Sequence, residues 1–247
     1  MTFYEEIAPY YEQIFPLQKS QVEFVKSVFS NQDEVRLLEV GCGIGLLSFA
    51  LADPLVKVLA FDLDEGMLKE ALHAMKKLSI SGNNLEFLQL NMLSIGETFN
   101  KTHFDGVLCF GNTIVHLPSK EKVLSFFIQA KEVLKPNGML LFQLLNYDRL
   151  LDQKITTLPL IESDHFSFER YYSYPAQKAT IDFNTILTIK KSKEKIEHTI
   201  PLLPLRKKDI DSLLAQAGFS YSFFGSYAKE VFTTESESLV IQARPIH

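Results

Sequence analysis

Little in this sequence points toward a membrane, a secretory route or a polyanionic partner. No apolar run approaches the about twenty residues that a membrane span needs. The first residues, Met1 to Glu6, are acidic and lack an apolar core, so no secretory signal is expected. Two cysteines, Cys42 and Cys109, cannot build a disulfide framework or, alone, a metal site, and they suit a reducing cytoplasm. A basic surplus is also missing. Lys+Arg 25 against Asp+Glu 30 leaves a net charge of −5, which argues against nucleic acid. Repeats, low-complexity tracts and Pro-rich linkers are absent. What remains is globular material, 46% hydrophobic and 22% charged, enough for one large α/β domain with a smaller appendage.

The chain is organised around residues 35–45. An apolar run from Leu37 to Val40, interrupted only by Glu39, gives way to Gly41, Gly43 and Gly45, with Cys42 inside the turn. A helical pattern follows at once (Ile44, Leu46, Leu47, Phe49, Leu51). A buried parallel strand, a tight turn and a helix make the first third of a nucleotide-binding βαβ unit. Glycine allows a backbone at positive φ and lets a ligand approach where a Cβ would collide. The spacing is Gly-x-Gly-x-Gly, with Leu46 where a dinucleotide fingerprint would carry its last glycine.

A second strand, 56–62, ends in Asp62, 21 positions after Gly41. An acid at that separation lies beside the ribose of a bound nucleoside, where a carboxylate accepts from both hydroxyls. The competing reading is a cap for the helix 64–79 that begins near Asp64. Glycine turn and acid occurring together favour the ribose. His73 in that helix reads as a surface or core-edge residue. After a turn at 81–84, residues 85–90 form a third strand ending at Asn91 and Met92. A fourth, 104–110, leads into Gly111, Asn112, Thr113 and His116. Helix 119–134 stops at Lys135 to Gly138 before a fifth strand, 139–145. Strands alternating with helices give a doubly wound parallel sheet, whose ligands collect at the carboxyl ends of the strands.

At the N-terminus, residues 3–29 read as helix broken near Pro16. Three tyrosines surround Ile7 and Pro9, either as an amphipathic face on the core or as a lid over a ligand. From 166 to 203 apolar and polar residues alternate, as in Phe166, Phe168, Arg170 and Tyr172. Three antiparallel strands (166–174, 180–190, 195–203) are predicted, as a small sheet inserted over the main one. The lysines at 190–195 mark a solvated hairpin tip. Helix 207–217, Gly218 and strands 219–226 and 237–243 bring the main sheet to seven strands. Residues 1–150 and 204–247 then form a Rossmann-like domain with a helical lid, and 151–203 an inserted β subdomain covering the substrate site.

Leu38 to Gly45, Phe61 to Asp64 and the closing Gly218-Phe219 pair resemble a class I S-adenosylmethionine-dependent methyltransferase, over almost the whole chain. Phe110 to Thr113, His116-Leu117 and Asn146 to Asp148 further resemble the branch containing glycine N-methyltransferase and related small-molecule enzymes. The resemblance implies that Glu39 and the Gly41–Cys42–Gly43 turn hold the methionine end of the cofactor. It implies that Asp62 takes the ribose and that Leu63 and Met67 pack on sugar and adenine, with Asn91 and Met92 beyond them. Phe110, Gly111 and Asn112 would line the cavity beside the sulfonium, and Tyr10 or Tyr11 would close the lid. His116 is the first candidate for a base, with Tyr11 or Tyr147 next. Asn91 stands where the family carries an acid; its amide can accept from the adenine amino group and donate to the neighbouring ring nitrogen. Leu145 stands where glycine N-methyltransferases have a carboxylate-binding arginine, so glycine is not expected as substrate unless Arg149 or Arg170 substitutes, beside Tyr147.

These readings add up to methyl transfer to N or O of a small molecule, in the cytoplasm, with S-adenosylhomocysteine as product. The cofactor expected is S-adenosyl-L-methionine, without a metal, and no nucleic-acid or membrane partner is expected; oligomeric state is open. A protein that binds the cofactor without catalysis is one alternative, and a nicotinamide-dependent oxidoreductase another. Tyr174 and Lys178 imitate the Tyr-x-x-x-Lys pair of short-chain dehydrogenases. That pair needs one helical turn, and Pro175 with its strand-like flanks makes a hairpin instead.

Overall fold

Six residues, Val35–Val40, form the central strand β1 of a computed structural model that describes residues 2–78 and 82–246. Its neighbours in sequence are β2 (Val56–Asp62), β3 (Leu85–Gln89), β4 (Phe104–Cys109) and β5 (Leu134–Leu145). The insertion supplies β6 (Ile161–Glu162), β7 (Phe166–Ser173), β8 (Ile181–Ile189) and β9 (Glu194–Leu202), and the chain closes with β10 (Phe219–Phe224) and β11 (Ser238–Pro245). The large sheet runs β10-β11-β5-β4-β1-β2-β3, parallel throughout except where β11 pairs antiparallel with β5 and β10. The chain therefore reverses direction across the sheet between β1 and β4, which opens a crevice at their carboxyl ends.

Burial explains the strand composition. All six residues of β4 are buried, as in a strand covered on both faces, and its one carboxylate, Asp105, pairs with Lys135 at 2.8 Å and accepts from Arg36 N–H. One face packs helices Lys120–Val133 and Lys207–Ala217 through Phe126, Phe127, Ile210 and Leu214; the other packs helices Lys19–Phe29 and Leu46–Leu51. Each such side chain withdrawn from water contributes about 1.5–3 kcal/mol before conformational entropy is subtracted. Helix ends follow the chemistry of their caps. Ser119 accepts from Lys122 N–H, and Gly218, at φ +77°, ends the last helix.

Three expectations change. The expected stop at Lys135 to Gly138 lies within β5, where Phe104 pairs with Leu134 and Gly106 with Met139, so the turn residues are extruded as a bulge. The N-terminal helix is subdivided by its prolines into Phe3–Ile7, a 3-10 turn Ala8–Tyr10, Tyr11–Ile14 and Lys19–Phe29. The small sheet has four strands, in the order β6-β7-β8-β9, because a two-residue edge strand precedes the three expected. Ser79, the last residue expected in the helix now seen as Glu65–Lys77, and Ser81, the first of the turn after it, lie outside the described residues. Among the described residues no helix is long and apolar enough to cross a membrane.

The small sheet covers the N-terminal segment, not the crevice. Phe166, Phe168 and Leu187 are fully buried against Phe3, Ile7, Ala8 and Ile14. His198 Nε2 lies 2.5 Å from Glu6 Oε2, tying the two together at the edge. The alternation along β7 and β8 thus buries its apolar face on the lid rather than over a ligand. Tyr174 and Lys178 fall in the β7–β8 connection. The Tyr174 hydroxyl donates to the Leu150 and Ile155 carbonyls, and the Lys178 ammonium pairs with Asp182 at 3.1 Å.

Candidate active site

β1 ends in a turn built on glycines, of which Gly41 tolerates no side chain. Gly41 (φ +68°) and Gly43 (φ +55°) are both in the left-handed region, and a Cβ on Gly41 would collide with Thr113 Cγ2. A Cβ on Gly43 would meet the Tyr11 ring at 3.4 Å, so this tyrosine lies directly over the turn. β2 delivers Asp62 beside it. The Gly43 N–H donates to Asp62 Oδ2 at 2.8 Å and the Asp64 N–H to Oδ1 at 3.0 Å. Asp64 caps the following helix, accepting from Met67 N–H at 3.0 Å. Capping is thus assigned to Asp64, which leaves the remaining lone pairs of Asp62 to the crevice.

Tyr11, Gly41, Gly111 and Thr113 form a neck between two cavities. The first, about 730 Å³, is lined by Gly43, Asp62, Leu63, Met67, Asn91 and Met92, with His116 on its far wall. The second, about 800 Å³, holds Glu39, Cys42, Phe110, Gln143 and Leu145, and is walled by residues 225–238. Leu63 is 64% exposed, an apolar surface left open on the first cavity.

Burial sets the charges. Glu39, 5% exposed, accepts from the Ser48 hydroxyl through Oε2, while Oε1 has no partner among the described residues. Desolvation pushes its carboxyl up to about 7 against the Ser48 hydrogen bond, which favours the charged form. Asp62 is also raised by burial, against the backbone N–H groups of Asp64 and Gly43. The Tyr4 hydroxyl lies 2.9 Å from His116 Nε2, and burial lowers the imidazole to about 4. Desolvation raises the Tyr4 and Tyr11 phenols, and the Cys42 thiol is held protonated by burial beside Glu39 and Asp62. At neutral pH the site therefore presents neutral phenols, a neutral imidazole and, in Glu39, a carboxyl that is only about half ionised.

Five expected site residues line neither cavity. Tyr10 packs edge-on against Phe166 at 5.3 Å, because successive residues of a helical turn point about 100° apart and Tyr11 takes the crevice side. Asn112, at φ +63°, spends its amide on structure. Its Oδ1 accepts from Leu145 N–H at 3.1 Å, and its Nδ2 donates to the Tyr147 hydroxyl at 3.1 Å. Tyr147 is 1% exposed and belongs to the core. Arg149 starts from the helix after β5, and Arg170 reaches the Pro159 carbonyl at 2.8 Å, so neither stands in for the missing arginine at Leu145. Sequence reasoning placed Tyr4 in the lid stretch and Thr113 in the motif after β4 without giving either a role, and it missed the 225–238 wall and Gln143. Of those two, Gln143 left a signal, as a lone polar residue in the apolar run Leu140 to Leu144.

A family model described as a methyltransferase domain matches residues 31–218. Glycine N-methyltransferase of Mus musculus is 30% identical over 123 residues, 47% of this chain and 42% of its own length. Glycine/sarcosine N-methyltransferase of Aphanothece halophytica is 25% identical over 201 residues, 81% of this chain and 72% of its own. The chain spans about half the length of the first curated relatives it matches, 41% to 56%. A crystal structure of an S-adenosylmethionine-dependent methyltransferase from Clostridium acetobutylicum has the same fold, with a TM-score of 0.82 at 14% identity and 100% of both chains covered.

Proposed function

Because this chain belongs to the methyltransferase-domain family, we propose that it transfers a methyl group from S-adenosylmethionine to nitrogen or oxygen of a small molecule. The observation that carries this reading is the pairing of Gly43 N–H with Asp62 at the edge of a cavity long enough to continue past Tyr11 to Glu39. Asp62 offers its free lone pairs to a ribose diol, and Leu63 and Met67 offer apolar surface to the base. Asn91 uses Oδ1 to accept from Leu93 N–H at 2.9 Å, which leaves its NH₂ to donate to a ring nitrogen. Glu39 Oε1, without a hydrogen-bond partner among the described residues and on the cavity wall, fits the ammonium of the methionine end.

Bound S-adenosylmethionine supplies an electrophilic methyl on a sulfonium. The chain's part is to align donor and acceptor and to exclude water. Tyr11 over the glycine turn and Tyr4 against His116 close the crevice from the N-terminal side. Neither is tuned as a base, since both phenols are raised, and His116, lowered to about 4, is a weak proton acceptor. The reading therefore favours a nucleophile that needs no enzymic base: a neutral amine, or an oxygen that arrives ionised.

A narrow crevice under the N-terminal lid and an acidic chain support a small-molecule acceptor over nucleic acid, and two free cysteines, both buried, support a reducing cytoplasm. Titration calorimetry with S-adenosylhomocysteine and with NAD tests the cofactor, and binding of NAD alone would overturn it. Turnover against amines, phenols and acids, followed by release of S-adenosylhomocysteine, tests catalysis against mere binding.

A further inference from the structure

We propose that the second cavity receives the methyl acceptor and that this acceptor is an amine on an uncharged body bearing a hydrogen-bond-accepting oxygen. The inference rests on the methyltransferase reading above and narrows its substrate class. Three carboxylates, Glu230, Glu235 and Glu237, line the exposed rim of the cavity, while Glu39 inside it is the one given above to the cofactor, and among the described residues no lysine or arginine lines it. Lys229, on the same wall, turns its ammonium over the Phe24 ring, 5.6 Å from the centroid. Leu145 adds apolar surface where a carboxylate-binding cation would be needed. A carboxylate acceptor would meet like charge without a counter-ion, whereas an ammonium is drawn toward the mouth and arrives among aromatic faces. Those faces are Tyr11, Phe15, Phe110 and Tyr227, of which Phe110 and Tyr227 meet edge to face at 5.8 Å.

Gln143 independently points to a ligand. It sits mid-strand in β5, 9% exposed, and its Oε1 accepts from Gly111 N–H at 3.1 Å. That bond fixes the amide's orientation. The NH₂ half has no hydrogen-bond partner among the described residues and opens onto the cavity, so its donors are free for an acceptor atom of a ligand. An oxygen on the acceptor's body satisfies it.

In the reaction, the ammonium first gives a proton to water at the rim. The amine lone pair then forms the N–C bond as the C–S bond breaks with its electron pair left on sulfur. The positive charge passes from sulfur to the methylated nitrogen.

The test uses the whole chain saturated with S-adenosylhomocysteine and nine probes: amine, acid and alcohol versions of phenyl, cyclohexyl and hydroxyphenyl ethyl bodies. Calorimetry is expected to detect amines and no acids, with the hydroxyphenyl amine tightest. Glu235→Gln with Glu237→Gln is expected to weaken amine binding about tenfold and to leave S-adenosylhomocysteine affinity unchanged. Gln143→Leu is expected to abolish the preference for the hydroxylated body, and Gln143→Glu, a volume-conserving control, checks that the strand still folds. Binding of acids as tightly as amines, binding of no amine, or amine affinity indifferent to the rim variants overturns the proposal. Failure of S-adenosylhomocysteine itself to bind would sink the methyltransferase reading instead.

Discussion

The Tyr4 hydroxyl and His116 Nε2 lie 2.9 Å apart across the mouth of the first cavity, joining the N-terminal helix to the turn that follows β4. With the imidazole lowered to about 4 it is neutral at pH 7, so the contact is a hydrogen bond between a neutral phenol and a neutral ring. This contact latches the lid. Tyr4→Phe is expected to cost about 1 kcal/mol of stability and to raise the opening rate of helix Phe3–Ile7. Hydrogen exchange of that helix unchanged from wild type would show that the contact holds nothing.

Glu39 and His116 oppose each other in their effect on stability. Glu39, folded at about 7 against an ordinary carboxyl, gives stability that is full below the unfolded value and lost as pH rises toward 7. His116, folded at about 4, does the reverse, and its stability is lost as pH falls from about 6.5. Each contributes about 3 kcal/mol across its window. Glu39→Gln is therefore expected to leave a stability that climbs from pH 4.5 to 6.5, and His116→Asn one that falls across the same range. Asp62, also raised, adds to the falling slope in both. Denaturant midpoints against pH measure the two slopes; equal slopes in the two variants would contradict the assignment.

Proton release follows from the same carboxyl. If an ammonium of the ligand settles on Glu39, its raised value collapses, and at pH 7 binding of S-adenosylhomocysteine is expected to release about half a proton. Calorimetry in two buffers of different ionisation enthalpy reads this directly, and Glu39→Gln should abolish it.

Asp62→Ala is expected to weaken S-adenosylhomocysteine binding by about 1–3 kcal/mol through lost charge-assisted hydrogen bonds. It also frees Gly43 N–H, so Asp62→Asn is the companion: its carbonyl oxygen still accepts from that donor. Unchanged affinity in both variants would remove Asp62 from the binding surface.

Gly41→Ala places a methyl on Thr113 Cγ2 at positive φ, and a loss of about 2–4 kcal/mol is expected. Gly41→Ala combined with Thr113→Ser removes the struck methyl and should recover part of that loss; no recovery would mean that backbone conformation alone sets it.

Much of this molecule was legible in one dimension. The run from Leu37 to Val40, the glycines after it and the acid at position 62 specify a strand, a turn and a second strand tip. They do so because strand burial and positive φ are local demands that only certain residue types meet. Helix 207–217 and its terminal Gly218 were readable for the same reason. The alternation at 166–189 announced a one-faced sheet, but not what the face would cover.

Which side chain reaches the crevice was not a local matter. Tyr10 and Tyr11 differ by one step of helical rotation, and only the docking of the N-terminal segment on Phe166 and Phe168 decided that Tyr11 meets Gly43 while Tyr10 turns away. Asn112 and Tyr147 are 35 residues apart and spend their polar groups on one another. Gln143, Glu235 and Glu237 meet around one cavity because β11 pairs antiparallel with β5 and brings the 225–238 wall beside it. Local chemistry determined the elements and the nucleotide turn; long-range packing, which no spacing encodes, decided who faces whom.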